Sequence, residues 1–207
     1  MRGSKHQPAI RSEDREIRYL HREEVERLFQ AIPPANTRDR LLFALIYLYG
    51  LRVSEATRLI LGQFDLEHRQ VTITGIKHGL KGVYPIYRDV WPLLRRWIRQ
   101  ERANAGPEDP LFTSREGEGI TRFRVHQLFK GYARAAGIRL TERQSVHTLR
   151  HSLAVHMLDA GLTTDDVRDM LRHRSISSSA VYARVSIERR NSYLRHLERS
   201  PAVARLR

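Results

Sequence analysis

Residues 147–182 read HTLRHSLAVHMLDAGLTTDDVRDMLRHRSISSSAVY, and this stretch sets the fold class. Apolar residues recur at helical spacing from about Thr148 to Ala160, and Gly161 stops the helix. Thr163, Thr164, Asp165 and Asp166 open the next one, because short oxygen side chains satisfy free backbone N–H groups and acids complement the positive helix end. Ser175 to Ser179 breaks the pattern before the segment around Tyr182. Two helices and a polar break thus carry His147, Arg150, His151, Arg172 and His173, and end on a tyrosine.

The flanking sequence reads the same way. Thr121 caps a helix bearing Val125, Leu128, Phe129 and Tyr132, ended by Gly137. Near the start, Leu20, Val25, Leu28, Phe29 and Ile32 form one helical stripe, stopped by Pro33 and Pro34. The following helix begins at Asn36 or Thr37, and its run from Leu41 to Tyr49 is apolar nearly all round, which places it at the centre of the core. Gly50 ends it, and a short helix follows through Val53 to Ile60 with Arg52 at its mouth. In the middle the period changes: Val71 to Thr74 and Val83 to Ile86 read as two strands joined by a glycine-bearing turn that holds Lys77. Asp89 can cap a helix carrying Val90, Leu94, Trp97 and Ile98, and Leu111-Phe112 is expected to supply a third strand. The chain is therefore mainly α with a small antiparallel β-sheet (α+β).

Composition narrows the partner. The 207 residues include 37 Lys and Arg against 23 Asp and Glu, a net charge of +14 with a pI near 10.9. Such a chain seeks a polyanion, and its basic residues are spread through apolar-periodic segments. A ribosomal protein would share that charge. The absence of cysteine excludes disulfides, thiolate catalysis and cysteine-ligated zinc. No apolar run approaches the ~20 residues of a membrane helix, and the polar N-terminus is no signal peptide, so a cytoplasmic, nucleoid-associated location without membrane contact is expected. Residues 1–18 read as a basic arm, 19–198 as one domain and 199–207 as a tail.

Five motifs carry the chemistry. Gly50-Leu51-Arg52-Val53-Ser54-Glu55, Lys77 in a hairpin, His147-Thr148-Leu149-Arg150-His151-Ser152, Leu171-Arg172-His173-Arg174, and Tyr182 nine residues after His173 resemble the tyrosine recombinase (phage integrase) family in order and spacing. The resemblance spans roughly residues 19 to 198. It implies the catalytic-domain fold of that family without its usual N-terminal core-binding domain, as in short members such as invertases or in an excised domain.

The resemblance also implies roles, each of which meets a physical need. A phosphodiester gathers charge on its non-bridging oxygens in the transition state. Arg52 and Arg150 suit those oxygens because a planar guanidinium donates two parallel hydrogen bonds and keeps its proton, and His173 resembles a third donor. Losing one such donor costs roughly 10²–10³ in rate at comparable oxyanion sites. Tyr182 matches the nucleophile, but a free tyrosine of pKa near 10 is ionised only about once in a thousand molecules at neutral pH. His147 matches the family's proposed base and Lys77 its general acid, which protonates the departing 5′ oxygen. Lys81 is a nearby rival, but Lys77 precedes Pro85 by the family's interval. Glu55 matches an acidic residue that buttresses the site, and His151 is expected to be a structural hydrogen-bonding residue. The resulting 3′-phosphotyrosyl bond conserves energy, so no cofactor and no metal is required. The implied partners are double-stranded DNA, further copies of the chain in a tetramer that swaps the segment Ile187 to Leu197, and an accessory DNA-bending protein.

One position departs from the family pattern: Arg172 stands where a glycine usually precedes the histidine, and its charge is available to DNA or a neighbouring subunit. Two functional alternatives stay open, namely relaxation of DNA in the manner of a type IB topoisomerase, and DNA binding without catalysis. A zinc site on His147 and His151, at i and i+4, is disfavoured because Thr148 replaces the glutamate of the metalloprotease motif and Arg150 opposes a cation.

Overall fold

The structure is a computed structural model that describes residues 17–75, 81–114, 116–142, 144–173 and 178–183. The basic arm through residue 16, the turn holding Lys77 and the segment from Ile187 to Leu197 lie outside the described residues.

Helices α1 (Arg22–Gln30), α2 (Thr37–Leu48) and α3 (Val53–Ala56) precede a sheet of β1 (Phe64–Asp65), β2 (Gln70–Thr74) and β3 (Lys81–Pro85). Helices α4 (Val90–Glu101), α5 (Arg122–Ala135), α6 (His147–Asp159) and α7 (Thr164–Leu171) follow, and residues 178–183 are again helical. The sheet is antiparallel in the order β1-β2-β3, with Val71 opposite Tyr84 and Ile73 opposite Gly82. Val71 and Ile73 point into the core while their neighbours on β2 do not, as the two-residue period of a half-buried strand requires.

The core centres on α2, whose residues 41–46 are all buried. It packs on α4 and α6, and α6 packs on α7. Helix α6 is buried along most of its length, Arg150 included, so it carries site residues through the middle of the molecule. Asn36 accepts the N–H of Asp39, Thr121 that of Arg124 and Thr163 that of Asp166, so three of the helices start on side-chain caps. Tyr49 pins the sheet to this frame: its hydroxyl donates to Pro85 O at 2.9 Å and accepts from Tyr87 N at 3.0 Å. A second, smaller cluster joins Ala154, Val155, Val167 and Leu171 to Tyr182.

Three local expectations are corrected. Helix α3 ends at Ala56 instead of continuing to Ile60, because Leu61 N donates to Asp109 O and Leu59 O accepts from Leu111 N, which pulls the chain into an extended bridge. Leu111-Phe112 is consequently not the third strand; both residues are core, and β1 takes that place beside β2. Asp89 occupies the N-cap position of α4 but makes no side-chain cap bond.

Candidate active site

The site begins where α2 turns into α3. Gly50 adopts φ +56°, and a Cβ there would press on Leu171 Cδ2 and Leu153 Cδ2, so glycine lets α2 end close to α6 and α7 without displacing those leucines. Arg52 is the N-cap of α3. Its backbone N–H donates to Glu55 Oε2 at 2.9 Å and its guanidinium to Glu55 Oε1 at 2.8 Å. The Arg52 side chain is 36% exposed and that of Glu55 only 1%, so a buried carboxylate holds one edge of a guanidinium whose remainder faces outward.

Arg150, 4% exposed, comes from α6 and reaches the same turn. It donates to Gly50 O and, at 2.6 Å, to Leu171 O, which ties the ends of α2 and α7 together. Burial first and Arg52 second bring its pKa down to about 10, so it remains a cation at neutral pH.

Three imidazoles surround these cations. His147 is shifted below the ordinary histidine value by burial, then by Arg150 and His126. His151 and His173 are each brought down to about 4, chiefly by burial. All three are therefore neutral at pH 7. His173 follows α7, and its Nδ1 shares a 2.8 Å hydrogen bond with the buried Ser179 Oγ, which fastens the 178–183 segment to the site.

Tyr182 lies on that segment, 4% exposed, with its ring nearly parallel to His173 at a centroid separation of 6.4 Å. Its hydroxyl shares a 2.8 Å hydrogen bond with His151 Nδ1. Burial raises its pKa, while the positive charges of Arg150 and Arg52 oppose the rise. The structure thus brings together Arg52, Glu55, His147, Arg150, His151, His173 and Tyr182. Lys77 is not among the described residues; Lys81, its rival, is exposed opposite Thr74 at the base of the hairpin. A cavity of about 330 Å³ lined by Glu55, Arg58, Thr74 and Gly75 opens where β2 ends.

The expectation for Arg172 is overturned. Its side chain is 1% exposed and paired with Glu55 at 3.2 Å, so it is not available to DNA or to a neighbouring subunit. Sequence reasoning also passed over His126 on α5. Its ring centroid lies 6.5 Å from that of His147, and its buried Nδ1 has no partner among the described residues. The sequence does not single it out, because Arg122, His126 and Lys130 at four-residue spacing read as an ordinary basic stripe along α5.

The phage integrase family model matches residues 18–189. The chain belongs to the phage integrase family. A tyrosine recombinase XerA of Pyrococcus furiosus is 34% identical over 168 residues, covering 81% of this chain and 57% of that protein. A tyrosine recombinase XerD of Ralstonia nicotianae is 36% identical over 159 residues, covering 75% and 51% respectively. This integrase-family chain spans little more than half the length of those curated relatives. Its fold is the tyrosine recombinase catalytic-domain fold: the crystal structure of XerA recombinase superposes with a TM-score of 0.73 at 21% identity, covering 88% of this chain and 66% of that one. A post-cleavage complex of XerH recombinase on its palindromic difH substrate gives 0.72 at 24% identity, covering 86% and 52%. Among the described residues, no helix is long and apolar enough to cross a membrane.

Proposed function

We propose that the chain is a site-specific recombinase that cuts and rejoins double-stranded DNA through a 3′-phosphotyrosyl bond on Tyr182. The observation that carries this reading is the Tyr182 hydroxyl held at 2.8 Å by His151, on the same helix as the buried Arg150. Tyr182 Oη attacks the phosphorus, the bond to the 5′ oxygen breaks, and that oxygen leaves with a proton for which Lys77 is the assigned donor. Arg52, Arg150 and His173 receive the charge that develops on the non-bridging oxygens. The proton of Tyr182 goes to one of two neutral imidazoles a helical turn apart: His147, the base implied by the family pattern, or His151, which touches the hydroxyl. Attack of a second 5′ hydroxyl on the phosphotyrosine reverses the step without an energy source. Exchange between two duplexes is assigned to a tetramer, aided by a DNA-bending partner, and the net charge of +14 supports a polyanionic substrate.

The test uses a pool of nicked duplexes with randomised sequence around the nick. Denaturant-stable adducts enriched for a restricted sequence set support a recombinase. Adducts indifferent to sequence, together with relaxation of arbitrary plasmid, indicate topoisomerase action instead, and binding without any adduct removes the catalytic reading.

A further inference from the structure

Arg172 is an arginine in a conformation suited to glycine: φ is 54° and ψ 43° at the end of α7, directly before His173. Its side chain turns inward and meets the supports of both active-site arginines. The two terminal nitrogens each donate to Tyr49 O at 3.2 Å, one donates to Met170 O at 2.9 Å, and the other approaches Gly50 O at 3.5 Å and Glu55 Oε2 at 3.2 Å. Gly50 O also accepts from Arg150, and the other oxygen of Glu55 accepts from Arg52. On its remaining side the guanidinium donates to the Tyr84 hydroxyl at 3.4 Å and lies 5.6 Å from that ring, so β3 is joined to the same knot.

Charge explains why this knot matters. Two guanidiniums, Arg52 and Arg172, share one buried carboxylate, and Arg150 is held by backbone carbonyls instead, which leaves positive charge uncompensated around the end of α2. Glu55 is the only carboxylate paired with Arg52 or Arg172 among the described residues, and its second oxygen is shared between the Arg52 backbone N–H at 2.9 Å and the Arg172 guanidinium at 3.2 Å.

We propose that Arg172 is a positioning residue of the active site, which sets Arg52 through Glu55 and Arg150 through the Gly50 carbonyl. The proposal rests on the reading of Arg52 and Arg150 as phosphate ligands. Displacing such a ligand by about 1 Å is enough to cost roughly a hundredfold in rate.

Arg172→Gly isolates the side chain, because glycine tolerates the left-handed backbone that an alanine would strain. With the nicked substrate at saturating protein, adduct formation is expected to slow about tenfold to a hundredfold in R172G, with DNA affinity within about twofold of wild type. The acid limb of its rate profile should move to higher pH, since Glu55 loses a cation, and R172K should recover part of the rate. Glu55→Gln should slow the reaction, with R172G costing less on top of it than it costs alone, since only the route through the Gly50 carbonyl then remains. Wild-type rates in folded R172G, or losses that multiply in the double variant, would overturn the proposal. Should R172G fail to fold, R172K against wild type supplies the same rate and pH comparison. If the wild type itself forms no adduct, the recombinase reading has failed on its own. A carbon-13 titration of the Glu55 carboxyl then decides the link: a midpoint raised in R172G supports it, and an unchanged midpoint refutes it.

Discussion

His151 Nδ1 and the Tyr182 hydroxyl oxygen lie 2.8 Å apart, so the 178–183 segment is fastened to the centre of α6 by the oxygen that would attack DNA. A buried hydroxyl needs such a partner, because an unsatisfied one costs about 1–3 kcal/mol. The Tyr182 hydroxyl is thereby held in place as well as stabilised.

Replacing His151 with Phe removes the hydrogen-bond partner of Tyr182 and keeps a ring of similar bulk. Unfolding in urea should show a loss of about 1–3 kcal/mol, and adduct formation should slow at least tenfold. His147→Gln tests the other imidazole: a larger rate loss than in H151F, without the stability loss, assigns the base to His147.

Acid should unfold the chain through its histidines. His151 and His173 sit at about 4 in the fold, while an unfolded histidine titrates near 6.5. Between those values the unfolded chain binds more protons, so stability is fully present above about pH 6.5 and falls as pH drops toward 4, by up to about 1.4 kcal/mol per pH unit for each histidine. Urea midpoints from pH 7.5 to 4.5 should follow this course, and the slope should flatten in H173Q.

Gly50→Ala should damage both stability and chemistry. A methyl group at φ +56° meets Leu171 and Leu153, and relief would shift the carbonyl that Arg150 and Arg172 hold. A loss of about 1–3 kcal/mol is expected, with slower adduct formation.

Tyr132→Phe separates stability from chemistry. The Tyr132 hydroxyl donates at 2.6 Å to Asp39, a fully buried carboxylate that also accepts from Asn36 and Arg38. Its loss should cost about 1.5–3 kcal/mol in denaturation while the adduct rate of the folded protein stays unchanged.

What could be read from the sequence was local. The apolar run of α2, the caps at Thr121 and Thr163, and the stop at Gly50 are decided by neighbours along the chain, and they stand where expected. The early end of α3 is decided by residues 109–111, some fifty positions away, which no local pattern signals. The site was legible as motifs but not as contacts. His151 meets Tyr182 only because α7 folds back, and Arg172 reads as a surface charge until Glu55 and the Tyr49 carbonyl are seen to enclose it. His126 was hidden by its ordinary place on a basic helix face, and only packing brings it beside His147.

The nucleophile itself admits the most direct measurement. Protein is incubated with the nicked duplex pool, denatured and digested, and the DNA-linked peptide is identified by mass. A Tyr182 nucleophile requires the nucleotide to sit on the peptide containing Tyr182, with no adduct from Tyr182→Phe. An adduct of equal yield from Tyr182→Phe, or one on any other residue, contradicts it.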